Sequence, residues 1–251
     1  MPATQPRIVL HLLGPSHPCA AVEAALRLKG LEYERVEMQP GPHVEQMAAV
    51  YGPERTTVPG ALIDDEPVHG SNAIMERLEA IAPAPSLFPD GALGEQVVEA
   101  MAWGDAELQP LGRSLTWGAM HFRPESAGTF AAHGAPPLDP AGTDFAIRLI
   151  RGAWRHHEIT AVRLAEDLAG LPAKLDRVDA YVADGVLAGE RPNAADLQIG
   201  STLAVLRTVG DVRALIDGRA AERVARRWFD ERPGLVPVGA FPAGWAPRAA
   251  V

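Results

Sequence analysis

The sequence predicts an α/β unit followed by an all-helical remainder. Short β-forming runs alternate with helical stretches over residues 7–82, and the β signal almost vanishes beyond residue 91. Between them lies the proline-rich Pro83–Gly91 (PAPSLFPDG), which reads as a connection. The expected organisation is an α/β unit at 1–83, a linker at 84–91 and helices with a packed tail at 92–251.

The elements follow in order. Arg7–Leu13 (RIVLHLL) is apolar almost throughout and suits a strand buried on both faces. Pro18–Lys29 places Cys19, Val22, Ala25, Leu26 and Leu28 near one stripe, and Gly30 supplies a stop. Glu32–Met38 turns Tyr33, Val36 and Met38 inward, and a short helix follows around Val44–Tyr51. Ala61–Ile63 and Pro67–Val68 flank Asp64-Asp65 as a hairpin. Ser71–Ala82 is amphipathic through Ile74, Leu78 and Ile81, with Ser71 a good cap. The order is β-α-β-α-β-β-α. Helices are then predicted over Gly94–Phe122, Asp144–Leu171, Ala173–Ala183, Asn193–Val209 and Arg219–Phe229, with an irregular excursion at Arg123–Gly142.

Composition narrows the function. The chain of 251 residues carries a formal charge of −9, 47% apolar residues and one cysteine. Concentrated basic surface is what phosphate contacts need, so nucleic acid and anionic membranes are poor partners for an acidic chain. One cysteine makes neither an internal disulfide nor a cysteine-rich zinc site. No run approaches the roughly 20 apolar residues of a membrane span, and the N-terminus has no basic lead before its short apolar run. The expectation is a soluble, cytoplasmic protein without a metal. His156 and His157 point about 100° apart on a helix, which suits surface or interface histidines better than ligands of one ion. Walker A, GxGxxG, HExxH and G-x-S-x-G patterns are all missing from the sequence.

Three motifs carry chemistry. In PSHPCAAVEAALRLKGLEYE, Ser16-His17-Pro18-Cys19 sits where a strand turns into a helix. In TTVPGALIDDEPVHGSNAIMERL, Val58-Pro59 precedes a strand and Ser71 opens a helix. In RPNAADLQIGSTL, Asn193 and Asp196 form a capping-box-like pair, which is folding chemistry. With the β-α-β-α-β-β-α order and the helical remainder, these motifs resemble the glutathione S-transferase family over nearly the whole chain. The resemblance implies a thioredoxin-like α/β domain, a helical bundle, a homodimer, glutathione as co-substrate and a small electrophile as second substrate.

Physical chemistry gives each motif residue a role beside a plainer alternative. A helix N-terminus has unpaired N–H groups and favours an anion, so a ligand thiolate at Ser16 would be stabilised. Ser16 either donates a hydrogen bond to that sulfur or merely caps the helix, and the resemblance matches it to the catalytic serine or cysteine of theta-, zeta- and omega-like classes. Cys19 falls on the inner side of its helix and is expected to be structural, with disulfide reduction as a minor alternative. The resemblance implies that Pro59 is cis, that Val58 pairs its backbone with the cysteinyl part of glutathione, and that Ser71 binds the γ-glutamyl carboxylate. Gly70 stands where relatives carry Glu or Gln, and Gly52–Thr57 lacks the lysine that many show. His43 and Arg55 are candidates for the glycine carboxylate. These departures keep open a second reading, a binding or assembly module that has lost efficient catalysis. Trp103, Trp117 and Trp154 read as core or as walls of the second-substrate pocket. The tail from Pro233, with Phe241 and Trp245, is expected to pack back, with the pocket between the domains as one candidate surface for it to cover.

Overall fold

A computed structural model of the protein describes residues 5–247. The α/β part runs β1 (Ile8–Leu12), α1 (His17–Leu28), β2 (Glu34–Glu37), α2 (His43–Tyr51), β3 (Gly60–Ile63), β4 (Glu66–His69) and α3 (Ser71–Ile81). The sheet order is β2-β1-β3-β4; β1 pairs β2 parallel, whereas β1–β3 and β3–β4 are antiparallel. This is the expected thioredoxin-like arrangement. β1 is buried except for His11, because α1 and α3 share one core with it while Met38, Met47 and Tyr51 form a smaller one under α2. α2 sits so close that a Cβ on Gly60 would lie 2.4 Å from the Tyr51 ring. The hairpin turns at Asp64 and Asp65, whose φ values of 51° and 67° fit a residue type that tolerates the left-handed region.

The remainder is helical: α4 (Ala92–Trp103), α5 (Gln109–Phe122), α6 (Pro140–His156), α7 (Ala161–Ala183), α8 (Ala194–Leu206), α9 (Gly210–Ile216) and α10 (Ala220–Arg227). Three boundaries correct the sequence reading. The single helix expected over Gly94–Phe122 is interrupted by a π-helical turn at Gly104–Leu108. The break expected at Pro172 lies instead at 157–160, where Glu158 takes φ 52° and the Thr160 hydroxyl caps α7 by accepting from the Arg163 N–H. Pro172 is carried inside α7 because the buried stripe Leu164, Leu168, Leu171, Leu175 and Val178 continues straight across it. The excursion at 123–142 contains a 3-10 helix, Pro124–Phe130, and the first turn of α6, capped by Asp139.

α8 is the centre of the molecule. All its residues are buried, and it packs against α1, α3, α4, α5 and α10, joining the two parts. Its capping box forms as expected: Asn193 accepts from the Asp196 N–H and Asp196 from the Asn193 N–H, and Asp196 also accepts from Ala188. The tail packs back as well. Val236 bridges to Val209, the Asp211 carboxylate accepts from the N–H groups of Gly239, Ala240 and Phe241, and Phe241 and Trp245 stand edge-on to Phe122. The final residues of the tail, 248–251, and the first four of the N-terminal reading lie outside the described residues. Among the described residues, no helix is long and apolar enough to cross a membrane, and no group of three metal-ligating side chains is placed to hold an ion.

Candidate functional site

Ser16 occupies the N-cap position of α1 in extended conformation, but its hydroxyl makes no capping hydrogen bond. Its N–H donates to the Leu13 carbonyl at 3.0 Å, closing the turn out of β1. Pro18 suits the first turn, where an N–H would go unused. Behind it Cys19 is buried, and burial pushes its thiol up to about 12 despite hydrogen bonding from Ser16 and the Leu13 backbone. A thiol held that firmly protonated is a poor nucleophile.

His17 is also buried, and its Nε2 has no partner. Desolvation first, then the nearby Arg232 and Arg113 charges, hold its ring well below the ordinary imidazole range, so it is neutral. It fits because α5 has Gly112 opposite it; a Cβ there would lie 2.6 Å from His17 Cε1. From the far end of the chain, Arg232 Nη2 donates to the carbonyls of Pro15 at 2.7 Å and Gly14 at 3.3 Å, strapping the turn before Ser16.

The second helix start is that of α3. Gly70 precedes it at φ 93°, in the region that L side chains rarely adopt, so the departure from Glu or Gln suits this backbone. Ser71 is the first helical residue rather than the cap expected from sequence. Its hydroxyl donates to Gln198 Oε1 of α8 at 3.1 Å instead of to its own helix. The Val58–Pro59 bond is cis, and the Pro59 carbonyl accepts from the Gly70 N–H at 3.0 Å. Among the described residues, neither the N–H nor the carbonyl of Val58 has a backbone partner outside the regular elements. Asn72 Oδ1 is buried and unpartnered.

These groups face one cleft of about 400 Å³ between the α/β part and the helices. Val58, Pro59, Gly70 and Ser71 line one wall, and Pro18 marks the start of α1. Ser16 and His43 are not among the lining residues. His43 Nδ1 accepts from the Gly41 N–H at 3.1 Å, and Arg55 is exposed on its loop. Trp103, Trp117 and Trp154 do not line the cleft either: Trp103 packs edge-on to Tyr181, and Trp154 Nε1 donates to the Trp117 carbonyl.

The opposite wall was missed in the sequence. Asp105, Gln109 and Arg113 supply it from the π-helical turn and α5, with His157 from the end of α6. Their spacing of four residues is a one-face signal, hidden inside a stretch read only as a helix. They form a chain: Gln109 Nε2 donates to Asp105 Oδ1 at 2.6 Å, and Arg113 Nη1 donates to Gln109 Oε1 at 2.6 Å. Gln198 Nε2 also donates to Asp105 Oδ1, at 3.2 Å, so Ser71 is tied through Gln198 to the same carboxylate. Desolvation raises the Asp105 carboxyl, opposed by Arg113 and Gln109. His157, expected on the surface or at an interface, is half-buried in the cleft; desolvation first, then Arg113, His156 and His43, lower it to about 4. One wall therefore offers free N–H groups, the other a carboxylate, a guanidinium and a neutral imidazole.

The comparisons agree with this geometry. Residues 10–86 match the family model described as glutathione S-transferase, N-terminal domain. The fold is that of the glutathione S-transferases. A glutathione S-transferase from Rhodospirillum rubrum F11 is similar over 95% of this chain and 98% of its own, at 21% identity and TM-score 0.53. The beta-etherase LigF from Sphingobium sp. strain SYK-6 is similar over 80% of this chain and 84% of its own, at 19% identity and TM-score 0.58. The theta class glutathione S-transferase from Xanthomonas axonopodis pv. citri, solved with glutathione bound, is similar over 80% and 82%, at 21% identity and TM-score 0.54. No curated protein matches the chain in sequence. At these identities the similarity is one of fold, and the glutathione S-transferase fold is what places the starts of α1 and α3 on one cleft.

Proposed function

We propose that the chain binds glutathione in this cleft and directs its thiolate at a small electrophile. The observation that carries the reading is the convergence of two helix starts and the unpaired backbone of Val58 on one cleft. A peptide thiol has matching parts. Its γ-glutamyl carboxylate suits the N–H groups and hydroxyl at Ser71, behind Gly70, and its ammonium suits Asp105 and Asn72 Oδ1. Its cysteinyl N–H and carbonyl suit the Val58 backbone, presented by Pro59. Its glycine carboxylate lies towards the loop side, where His43 is the candidate. Ser16 is the catalytic residue in this reading, donating its hydroxyl to the sulfur at the positive end of α1.

The chemistry is addition or substitution at carbon. The thiol proton leaves to solvent, the sulfur lone pair forms a bond to the electrophilic carbon, and a leaving group or π bond accepts the displaced electrons. Holding both reactants in one cleft supplies proximity, and stabilising the thiolate supplies the nucleophile at neutral pH. A cytoplasmic homodimer accompanies the reading, and size-exclusion chromatography with light scattering tests the dimer.

One observation favours a second reading, a binding or assembly module of the same fold. Ser16 is not among the residues that line the cleft. Thermal unfolding with millimolar glutathione, together with turnover of a general aryl halide, separates the two. At one hundred times Kd, ligand stabilises the fold by about 2.7 kcal/mol. A shift abolished by Ser71→Ala, with turnover lost in Ser16→Ala, is the result expected for the transferase. A shift with turnover unaffected by Ser16→Ala removes Ser16 from the chemistry, and no shift at all removes glutathione from the cleft.

A further inference from the structure

Among the residues that line the cleft, Arg113 is the cationic side chain. It is half-buried in the cleft wall, yet among the described residues it forms no ion pair, whereas Arg207, Arg213 and Arg219 of the helical part each meet at least one carboxylate. Its hydrogen bond to Gln109 fixes one nitrogen, and the rest of the guanidinium has no acceptor among the described residues. Asp105, the carboxylate nearest in the electrostatic balance, already accepts from both Gln109 and Gln198. Arg163 on α7 adds positive field rather than relief. Beside it His157 is neutral, able to donate through one ring nitrogen without adding charge. An arginine held in a concave site with its fork unfilled matches a planar oxyanion.

We infer that Arg113, with His157 beside it, is an anion subsite of the cleft, and that the electrophile this protein prefers carries a carboxylate. The inference rests on the reading of the cleft as the meeting place of a peptide thiol and a second substrate. Arg113 lines the same cleft as Pro18 at the start of α1, and Gly112 beside it packs on His17, so the guanidinium shares the cleft with the helix start where a sulfur would react. A carboxylate there would pin the far end of an electrophile while its reactive carbon meets the thiolate.

The test uses 4-chloro-3-nitrobenzoate and its methyl ester, which share the reacting carbon and leaving group; the ester lacks the anion and activates the ring more strongly. In both, sulfur bonds to the ring carbon bearing chlorine, the carbon–chlorine bond breaks, and chloride leaves with the bonding pair. With rates divided by those of the uncatalysed reactions, the acid is expected to be preferred in kcat/KM. Arg113→Met should remove that preference, raising KM for the acid by about tenfold or more, the size of a lost charge-assisted hydrogen bond. KM for the ester and the glutathione-induced thermal shift should stay unchanged, and Arg113→Lys should recover part of the preference. An acid-to-ester ratio that Arg113→Met leaves unchanged overturns the inference. Loss of the glutathione shift in Arg113→Met overturns it too, by placing the guanidinium on the peptide. Calorimetric titration with the unreactive 4-methyl-3-nitrobenzoate keeps the two proposals separable. Binding that needs Arg113 in a protein that ignores glutathione upholds the anion subsite and removes the transferase; no binding of this anion to the wild type removes the subsite.

Discussion

Arg232 donates to the carbonyl oxygen of Pro15 at 2.7 Å, although 217 residues separate them in the chain. The bond, with a longer one to Gly14, ties the segment after α10 to the turn that presents Ser16. Burial lowers Arg232 and the Cys19 and Glu23 side opposes this, so the guanidinium is a costly cation held where an anion would gain from it. Arg232→Met is expected to destabilise the fold by about 1.5–3 kcal/mol, the range for hydrogen bonds from a charged donor. Denaturant unfolding measures that loss. In the protein with glutathione bound, ultraviolet difference titration should show the thiol pKa raised, and Arg232→Lys should recover part of it; an unchanged thiol pKa would confine Arg232 to structure.

Gln198 joins Ser71 to Asp105 from a buried position on α8. Gln198→Leu would leave both groups with one partner fewer. A stability loss of about 1–3 kcal/mol is expected, with weaker binding of a γ-glutamyl peptide. Thermal unfolding of the variant with and without glutathione checks both effects.

Lys29 is fully buried at its side chain and donates to Glu79 at 2.6 Å and to the carbonyls of Ala82 and Pro85. Lys29→Met is expected to cost about 3–5 kcal/mol, because the carboxylate it leaves is partly buried. Burial alone would raise Glu79, but the Leu87 N–H, Lys29 and Ser86 bring it below the ordinary carboxylate range. A carboxyl depressed in the folded state contributes its full stabilisation above the unfolded value and loses it as pH falls through the folded one. The wild type should therefore weaken in acid, and Glu79→Gln should flatten that dependence in urea titrations at several pH values.

His157 is lowered from 6.5 to about 4 and His17 well below 6.5, both mainly by burial. Between those values the unfolded chain binds protons that the folded chain refuses, so stability rises with pH across this window. A melting temperature that drops as pH falls from 6.5 towards 4 is expected, and the drop should shrink in His157→Asn. An identical profile in that variant would assign the effect to His17 and the carboxylates.

Gly112→Ala should behave against helix propensity. Alanine ordinarily stabilises a helix interior by about 1 kcal/mol over glycine. Here the new methyl would meet His17 Cε1 at 2.6 Å, so a net loss of about 1–3 kcal/mol is expected from overpacking between α1 and α5. Calorimetric unfolding of the variant gives the sign directly.

Much of this was legible in the residues. The alternation of apolar runs marked β1, α1, β3, β4 and α3, and the Asn193–Asp196 pair marked the start of α8, because each depends on neighbours within a few residues. Ser71 was legible as a residue at a helix start but not as a donor to Gln198, since that partner lies 127 positions away. Pro172 misled for the complementary reason: proline breaks a helix locally, whereas the leucine stripe of α7 gains enough burial to carry the helix across it.

The sequence by itself therefore determined the order of elements and the residues at the two helix starts. These rest on periodicity, capping and turn chemistry, which act between near neighbours. Tertiary structure alone decided the opposite wall of the cleft, the strap from Arg232 to Pro15 and the isolation of Arg113, among the described residues, from any carboxylate ion pair. Charge balance and desolvation depend on which distant groups packing brings within a few ångströms, and no local pattern records that.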